Sequence, residues 1–347
     1  MSALTPAEQA ALDRLTHERR YDLVLQGGGV KGVALAGALS ELESRGYRPQ
    51  RLAGTSAGAV VAVLYAAGYT AGELRDLILA PDFRALADLT PLARVPLVGG
   101  LLSILLLLGQ CEGAALERWL MERLAAKGVR TFADLRQIHP EGSVQVIVTD
   151  LTARALLVLP DDAPALGLDP DALEVAQAVR MSAGIPFYYR PVVRRAPDGR
   201  RHWLVDGGVL SNFPVWLFDV PAPGLPRWPT FGLRLAGEAP AGDSVLSRSR
   251  RANIVQYLSA LVSSMLEARD RYALARADYA RSVDLPTLGV GTTEFDLAPE
   301  RAAALFEAGR AATARFLDGW DFPAYLAAYR LGSGVAEVAR RYAGQVS

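Results

Sequence analysis

A chain of 347 residues, 51% of them hydrophobic, can bury the core of one large α/β domain or two smaller ones. Its formal net charge of zero argues against disorder and against a nucleic-acid polyanion as partner. Cys111 is the sole cysteine, and His17, His139 and His202 are scattered, so neither a disulfide framework nor a metal site is suggested by spacing.

In chain order, Thr5-Pro6-Ala7-Glu8 reads as a capping box with proline at the first helical position. This segment carries Glu8 and Asp13 and lacks an apolar h-region, so general secretory export is not expected. Export by a dedicated apparatus would leave no readable mark. Asp22–Gln26 is expected as a strand that runs into Gly27-Gly28-Gly29-Val30-Lys31-Gly32 and a helix over Val33–Arg45. A short strand at Arg51–Ala53 then runs into Gly54-Thr55-Ser56-Ala57-Gly58 and a second apolar helix through Ala67. Ala71–Leu79 reads as another helix. Val95–Cys111 is the longest uncharged stretch, broken by Pro96 and Gly99-Gly100. It is marginal for a bilayer span; a buried or flap helix, a lipid-touching surface and a membrane segment all stay open.

Further on, Gly113–Ala126 and Asp171–Met181 read as helices, and Val144–Thr149 and Ala155–Leu159 as strands. Phe187–Arg194 and His202–Val205 are expected as two strands around Pro197-Asp198-Gly199. Pro221–Pro229 is read as a proline-rich surface loop and Thr230–Leu235 as a strand. Glu238–Ser247 is a polar connection. The remainder is mostly helical, over Arg248–Asp278, Pro299–Leu317 and Pro323–Tyr342, with a last strand at Ser282–Leu285. Strands alternating with helices favour a three-layer α/β/α domain with a largely parallel central sheet. The organisation expected is an N-terminal helical arm (1–20), one catalytic domain (21–290) and C-terminal helices packing on it (291–347).

Gly54-Thr55-Ser56-Ala57-Gly58 fits the G-x-S-x-G nucleophile elbow between a strand and a helix. A capping serine at an ordinary strand-to-helix turn fits as well. Gly27-x-Gly29-x-x-Gly32 fits the dinucleotide fingerprint, but that fingerprint wants an acidic residue ending the second strand, and the serine elbow stands there. The spacing of a P-loop is absent. What remains is a run of backbone N–H groups at a helix N-terminus with Lys31 beside it, suited to a phosphate or to a developing oxyanion. No histidine follows His202, so a histidine-based triad would need an unusual chain order. Asp206, in Val205-Asp206-Gly207-Gly208, ends a strand where sites form in open α/β sheets; a plain Asp-Gly turn is the alternative.

Together these elements resemble the patatin-like phospholipase family, with its G-G-G-x-[KR]-G loop at Gly27–Gly32, its G-x-S-x-G at Gly54–Gly58 and its D-G-[GA] at Asp206–Gly208. The segment Met181-Ser182-Ala183-Gly184-Ile185-Pro186-Phe187-Tyr188-Tyr189-Arg190-Pro191 is similar to a fourth family feature, with tyrosine where phenylalanine is common. The likeness runs from about Tyr21 to Pro214 and weakens beyond, though Thr292–Asp296 is similar to bacterial members. The resemblance implies a patatin-like fold and a Ser56–Asp206 dyad hydrolysing acyl esters of membrane lipids, of phospholipase A or lysophospholipase type. It implies an oxyanion hole from Gly27, Gly28 and Gly29, completed by Lys31 and Gly32, with no metal or cofactor. Lys31 is open between orienting the turn, attracting anionic head groups and a solvated side chain. A phospholipid substrate, peripheral membrane contact and a cytoplasmic or membrane-surface location are expected, and an activating protein partner is open. Val95–Leu108 and the basic residues Arg190, Arg194, Arg195, Arg200 and Arg201 are the candidate lipid-facing surfaces. A phosphate- or nucleotide-binding protein and a non-catalytic lipid binder are the competing readings.

Overall fold

The structure, a computed structural model, describes residues 4–80, 86–139, 143–236, 257–258, 275–291 and 297–344. Helix α1 (Pro6–Thr16) starts at the expected capping box: Thr5 Oγ1 accepts from the Glu8 N–H, and the Glu8 carboxylate accepts from the Thr5 N–H. Then follow β1 (Arg20–Leu25), α2 (Gly32–Ser44), β2 (Arg48–Thr55), α3 (Ala57–Ala66) and α4 (Ala71–Leu79). Helix α3 carries no charge and is apolar on all sides, as a helix must be when enclosed. It packs on β1, β2 and β4 with α2, α4, α6 and α8 around it.

Helix α5 (Gly99–Leu107) and β3 (Gly109–Cys111) come from the uncharged stretch, followed by α6 (Ala114–Ala126), α7 (Phe132–Ile138), β4 (Val144–Asp150), β5 (Ala155–Leu159) and α8 (Val175–Ser182). Next are β6 (Phe187–Tyr189), β7 (Val192–Arg195), β8 (Arg201–Asp206), β9 (Thr230–Ala236) and β10 (Ser282–Pro286). The main sheet runs β10-β9-β1-β2-β4-β8-β7, with β5 also on β4. Strands β10, β9, β1, β2 and β4 are parallel, while β5, β7 and β8 enter antiparallel. The fold is thus mixed α/β around a mostly parallel sheet.

One register detail positions the site. Thr55, the last residue of β2, pairs with Ile147, and Asp206, the last residue of β8, pairs with Val148. Both strands lie on the edge of β4 opposite β5, and they run toward each other. Their ends therefore meet at adjoining residues of one strand.

The C-terminal helices belong to two cores. The helix Pro299–Asp318 crosses α2 at glycine: a Cβ on Gly37 would overlap the Phe306 carbonyl, and one on Gly309 the Ala34 carbonyl. The helices Phe322–Leu326 and Val335–Gly344 share a smaller core with Ala11 and Leu15 of α1.

Several expectations need correction. Phe187–Arg194 is not one strand, because Pro191 lacks the N–H a ladder needs. The segment divides into β6, which pairs with β3 in a separate two-stranded sheet, and β7, which forms a hairpin with β8. Helix α8 starts later than Asp171, since the Asp169 carboxylate accepts the Asp171 N–H (2.9 Å) and holds a turn there. Pro323–Tyr342 is interrupted by a π-helical turn, Ala327–Leu331, that ends at Gly332 with φ +58°. The loop Pro221–Pro229 is only partly superficial: Trp228 is buried and its indole N–H donates to Asp22 Oδ1 at 2.8 Å. In the basic cluster, Arg190 is paired with Glu112 (2.6 Å) and Arg200 with Asp198 (3.2 Å). Glu238–Ser247, most of Arg248–Asp278 and Thr292–Asp296 lie outside the described residues. No described helix is long and apolar enough to cross a membrane.

Candidate active site

Ser56 sits at φ +54°, ψ −125°, a conformation that favours glycine and stores on the order of 1–3 kcal/mol in any other residue. Packing enforces it. A Cβ on Gly54 would overlap the Gly58 carbonyl, and a Cβ on Gly58 would overlap the Leu25 carbonyl and lie 2.7 Å from that of Gln26. The two glycines of the motif therefore let α3 begin hard against β2 and against the end of β1. The Ser56 carbonyl accepts from the Ala59 N–H (2.9 Å) and the Val60 N–H (3.2 Å), which opens the helix. The Ser56 N–H points the other way and donates to Ser182 Oγ at 2.9 Å.

Asp206 is fully buried at the end of β8. Its N–H donates to the Gly184 carbonyl (2.9 Å), and its Oδ1 accepts from the Gly208 N–H (2.8 Å). Oδ2 is buried with no bond of ordinary geometry. Burial pushes the carboxyl up to about 6; the Ser56 hydroxyl beside it and the Gly208 N–H hold it from rising further. Hydrogen bonds between nucleophile and base are commonly long before substrate arrives, and the carboxylate beside the Ser56 hydroxyl keeps an unfilled oxygen that can accept a proton. Gly207 is required by the sheet rather than by a turn alone, since a Cβ there would overlap the Ile147 carbonyl of β4.

The glycine turn passes beside the serine: a Cβ on Gly27 would lie 3.0 Å from Ser56 Cβ and overlap Asn212 Oδ1. Gly27 and Asn212 clasp each other, Gly27 N–H to Asn212 O and Asn212 Nδ2 to Gly27 O, each at 3.2 Å. Gly29 adopts φ +60°, and Gly29–Lys31 forms a single 3₁₀ turn, closed by the Lys31 N–H on the Gly28 carbonyl (3.3 Å), that leads into α2 at Gly32. Among the described residues, the Gly28 and Gly29 N–H groups donate to no protein acceptor. Both glycines are partly solvent-accessible at the positive end of α2. Lys31 is half-buried in the same turn.

The structure thus brings together Ser56, Asp206 and the turn Gly27–Gly32. Chemically the arrangement offers a hydroxyl on a strained elbow, a buried carboxylate of raised basicity and outward amide donors. The histidines stand apart: His17 Nδ1 bonds the Asp13 carbonyl (2.8 Å), His139 Nε2 the Ala66 carbonyl (2.9 Å) and His202 Nδ1 the buried Asp150 carboxylate (2.5 Å). Among the described residues, no three His, Cys, Asp or Glu side chains gather as a metal site. Sequence reading missed Asn212 and gave Ser182 and Gly184 no role. Their only sequence signals were closeness to Asp206 and membership of the serine-rich segment.

In fold the chain is similar to VipD from Legionella pneumophila, with a TM-score of 0.54 at 19% identity over 95% of this chain and 75% of that one. The class is therefore that of mixed α/β proteins with the patatin architecture. The chain belongs to the patatin-like phospholipase family, whose model matches residues 23–219, from β1 to just past the Asp206 turn. It is 39% identical over 305 residues to the YqhO protein of Bacillus subtilis (strain 168), covering 87% of this chain and 99% of the relative. It is 25% identical over 195 residues to the probable lipid hydrolase 463L of Invertebrate iridescent virus 6, covering 56% of this chain and 61% of the relative.

Proposed function

We propose that the protein is a serine lipid acyl hydrolase of phospholipase A or lysophospholipase type, working through Ser56 and Asp206. The observation that carries this reading is the convergence of β2 and β8 on Ile147 and Val148, which brings the Ser56 hydroxyl beside the buried Asp206 carboxylate, one oxygen of which is unfilled. In the reaction, Ser56 Oγ attacks the ester carbonyl and its proton passes to Asp206. The tetrahedral oxyanion takes the Gly28 and Gly29 N–H groups, each donor worth about 10²–10³ in rate. Collapse breaks the ester C–O bond, and the alcohol leaves with the proton from Asp206. Water, deprotonated by the same carboxylate, then releases the fatty acid from Ser56.

A fluorophosphonate probe is expected to add once, at Ser56, as read by intact and peptide mass spectrometry. The purified protein is expected to release fatty acid from at least one member of a phospholipid and lysophospholipid panel. Absence of labelling together with saturable nucleotide binding would replace this reading by the phosphate-binding one.

Helix α5 supports contact with the lipid surface. Leu105 is 64% and Leu106 69% exposed, and Val98, Leu101 and Leu102 continue the patch. Nine residues reach about 14 Å, enough to lie in an interface and too short to span one. Ser103 Oγ donates to the Gly109 carbonyl (2.6 Å), and β3 pairs with β6, which links this helix to the segment ahead of Asp206. Leu105→Glu with Leu106→Glu is expected to weaken co-sedimentation with phosphatidylglycerol–phosphatidylcholine vesicles at least ~10-fold, given about 1.5–3 kcal/mol per leucine withdrawn from lipid. Hydrolysis of a short soluble ester is expected to stay within about twofold of wild type, since neither leucine touches the dyad. Unchanged vesicle binding would move the membrane contact elsewhere.

A further inference from the structure

Helix α8 ends beside Ser56 and Asp206, and its last residue together with the turn that follows bonds to both. Ser182, its final residue, is completely buried and accepts the Ser56 N–H at 2.9 Å. Two residues later the Gly184 carbonyl accepts the Asp206 N–H at 2.9 Å. One short segment therefore holds the backbone of the nucleophile and the backbone of the base. That segment is itself anchored. Arg180, two residues before Ser182 and buried, donates through Nη2 to the carbonyls of Glu112 (2.7 Å) and Arg190 (2.8 Å), tying α8 to the ends of β3 and β6.

We propose that Ser182 is a positioning residue for acyl transfer, its Oγ fixing the strained Ser56 backbone so that the Ser56 hydroxyl faces both Asp206 and the Gly28–Gly29 amides. The proposal rests on the hydrolase reading of Ser56. Its physical ground is the conformation of the serine. At φ +54° the Ser56 peptide would relax if its N–H lost the Ser182 acceptor, and the Cα–Cβ bond would swing with it. A displacement of about 1 Å at a reacting atom can cost on the order of 10² in rate. Ser182 moves no proton, and Asp206 keeps its own bonds to Gly184 and Gly208 when Ser182 is changed.

The test compares Ser182→Ala, Ser182→Thr and wild type on a soluble ester, each scaled to the folded fraction from thermal melts. Ser182→Ala is expected to lower kcat by about 10–100-fold with KM within about twofold, because alignment rather than substrate binding is lost. The fluorophosphonate labelling rate is expected to fall in the same proportion. The acid limb of the pH profile is expected to stay near pH 6 or move slightly above it, since burial, the largest influence on Asp206, is unchanged and only the Ser56 hydroxyl shifts. Ser182→Thr keeps the hydroxyl acceptor and is expected to restore most of kcat. A folded Ser182→Ala protein with kcat within twofold of wild type overturns the proposal, as does a folded Ser182→Thr protein no better than the alanine variant. Wild-type protein that neither hydrolyses esters nor labels at Ser56 overturns the hydrolase reading instead.

Discussion

Asp206→Asn is expected to melt higher than wild type at pH 8 while turning over esters about 10²–10⁴-fold more slowly. Both effects come from one carboxylate. In the folded protein its pKa stands at about 6, raised from 3.8 chiefly by complete burial. A pKa raised on folding favours the folded state while the group is protonated. That contribution is fully present below pH 3.8 and is lost as pH rises through about 6. A shift of this size corresponds to about 3 kcal/mol, so at pH 8 the ionised carboxylate opposes folding by that order. Asparagine keeps an oxygen for the Gly208 N–H and cannot ionise, so it removes the opposition. It also cannot take the proton of Ser56, and a general base supplies about 10²–10⁴ in rate. Thermal melts at pH 4 and pH 8 check the first effect: the gap between variant and wild type should be large at pH 8 and close at pH 4. Esterase assays check the second, with the wild-type acid limb centred near pH 6. Ser56→Ala should lose turnover equally yet keep an ionisable Asp206, its carboxyl pushed further up without the hydroxyl beside it, so this variant should still lose stability as pH rises from 4 to 8. Near-normal turnover in Asp206→Asn would remove Asp206 from the mechanism.

Gly58→Ala is expected to destabilise the fold by about 3 kcal/mol or more, and Gly72→Ala to do nothing of the kind. Both glycines lie in helices and both gain the same methyl group. At Gly58 the methyl meets backbone, the Leu25 and Gln26 carbonyls at the end of β1, which cannot swing aside as a side chain can. Overpacking in a close-packed interior costs about 1–3 kcal/mol when side chains can adjust, and more when they cannot. At Gly72, in α4, the nearest atom is Thr70 Oγ1 at 4.0 Å, so alanine brings only its helix preference, about 0.5–1 kcal/mol in favour of folding. Urea unfolding of the two variants separates them by midpoint. Equal midpoints would mean that α3 does not sit on β1 as closely as the structure shows.

Much of the architecture was legible because its signals are local. Two strands, two glycine turns and two helices within residues 20–66 follow from apolar runs punctuated by glycine, and they fall within a few residues of expectation. Ser56 and Asp206 stood out because each has glycine on the flank where the backbone has no room. What sequence could not show are the contacts set by register. Nothing local says that β8 enters antiparallel to β4, or that Asp206 stops beside Val148 rather than one residue away. For the same reason Asn212, which clasps Gly27, and Ser182, which holds Ser56, carried no readable role. The division of β6 from β7 was readable in principle from Pro191, and the late start of α8 from the Asp169 turn.

If Ser56 and Asp206 react as proposed, the head-on approach of β2 and β8 also governs when the molecule first becomes reactive. Ser56 is encoded early in the chain and Asp206 late, on a hairpin that docks on β4 from the opposite direction. A nascent chain released only as far as α3 carries its serine without a proton acceptor. A hairpin seated one residue out of step would shift Asp206 by about 3.3 Å and turn it to the other face of the sheet. On the proposed mechanism, truncated or misregistered copies would be silent toward lipid, and reactivity toward a serine probe would become a gauge of how faithfully a preparation has folded.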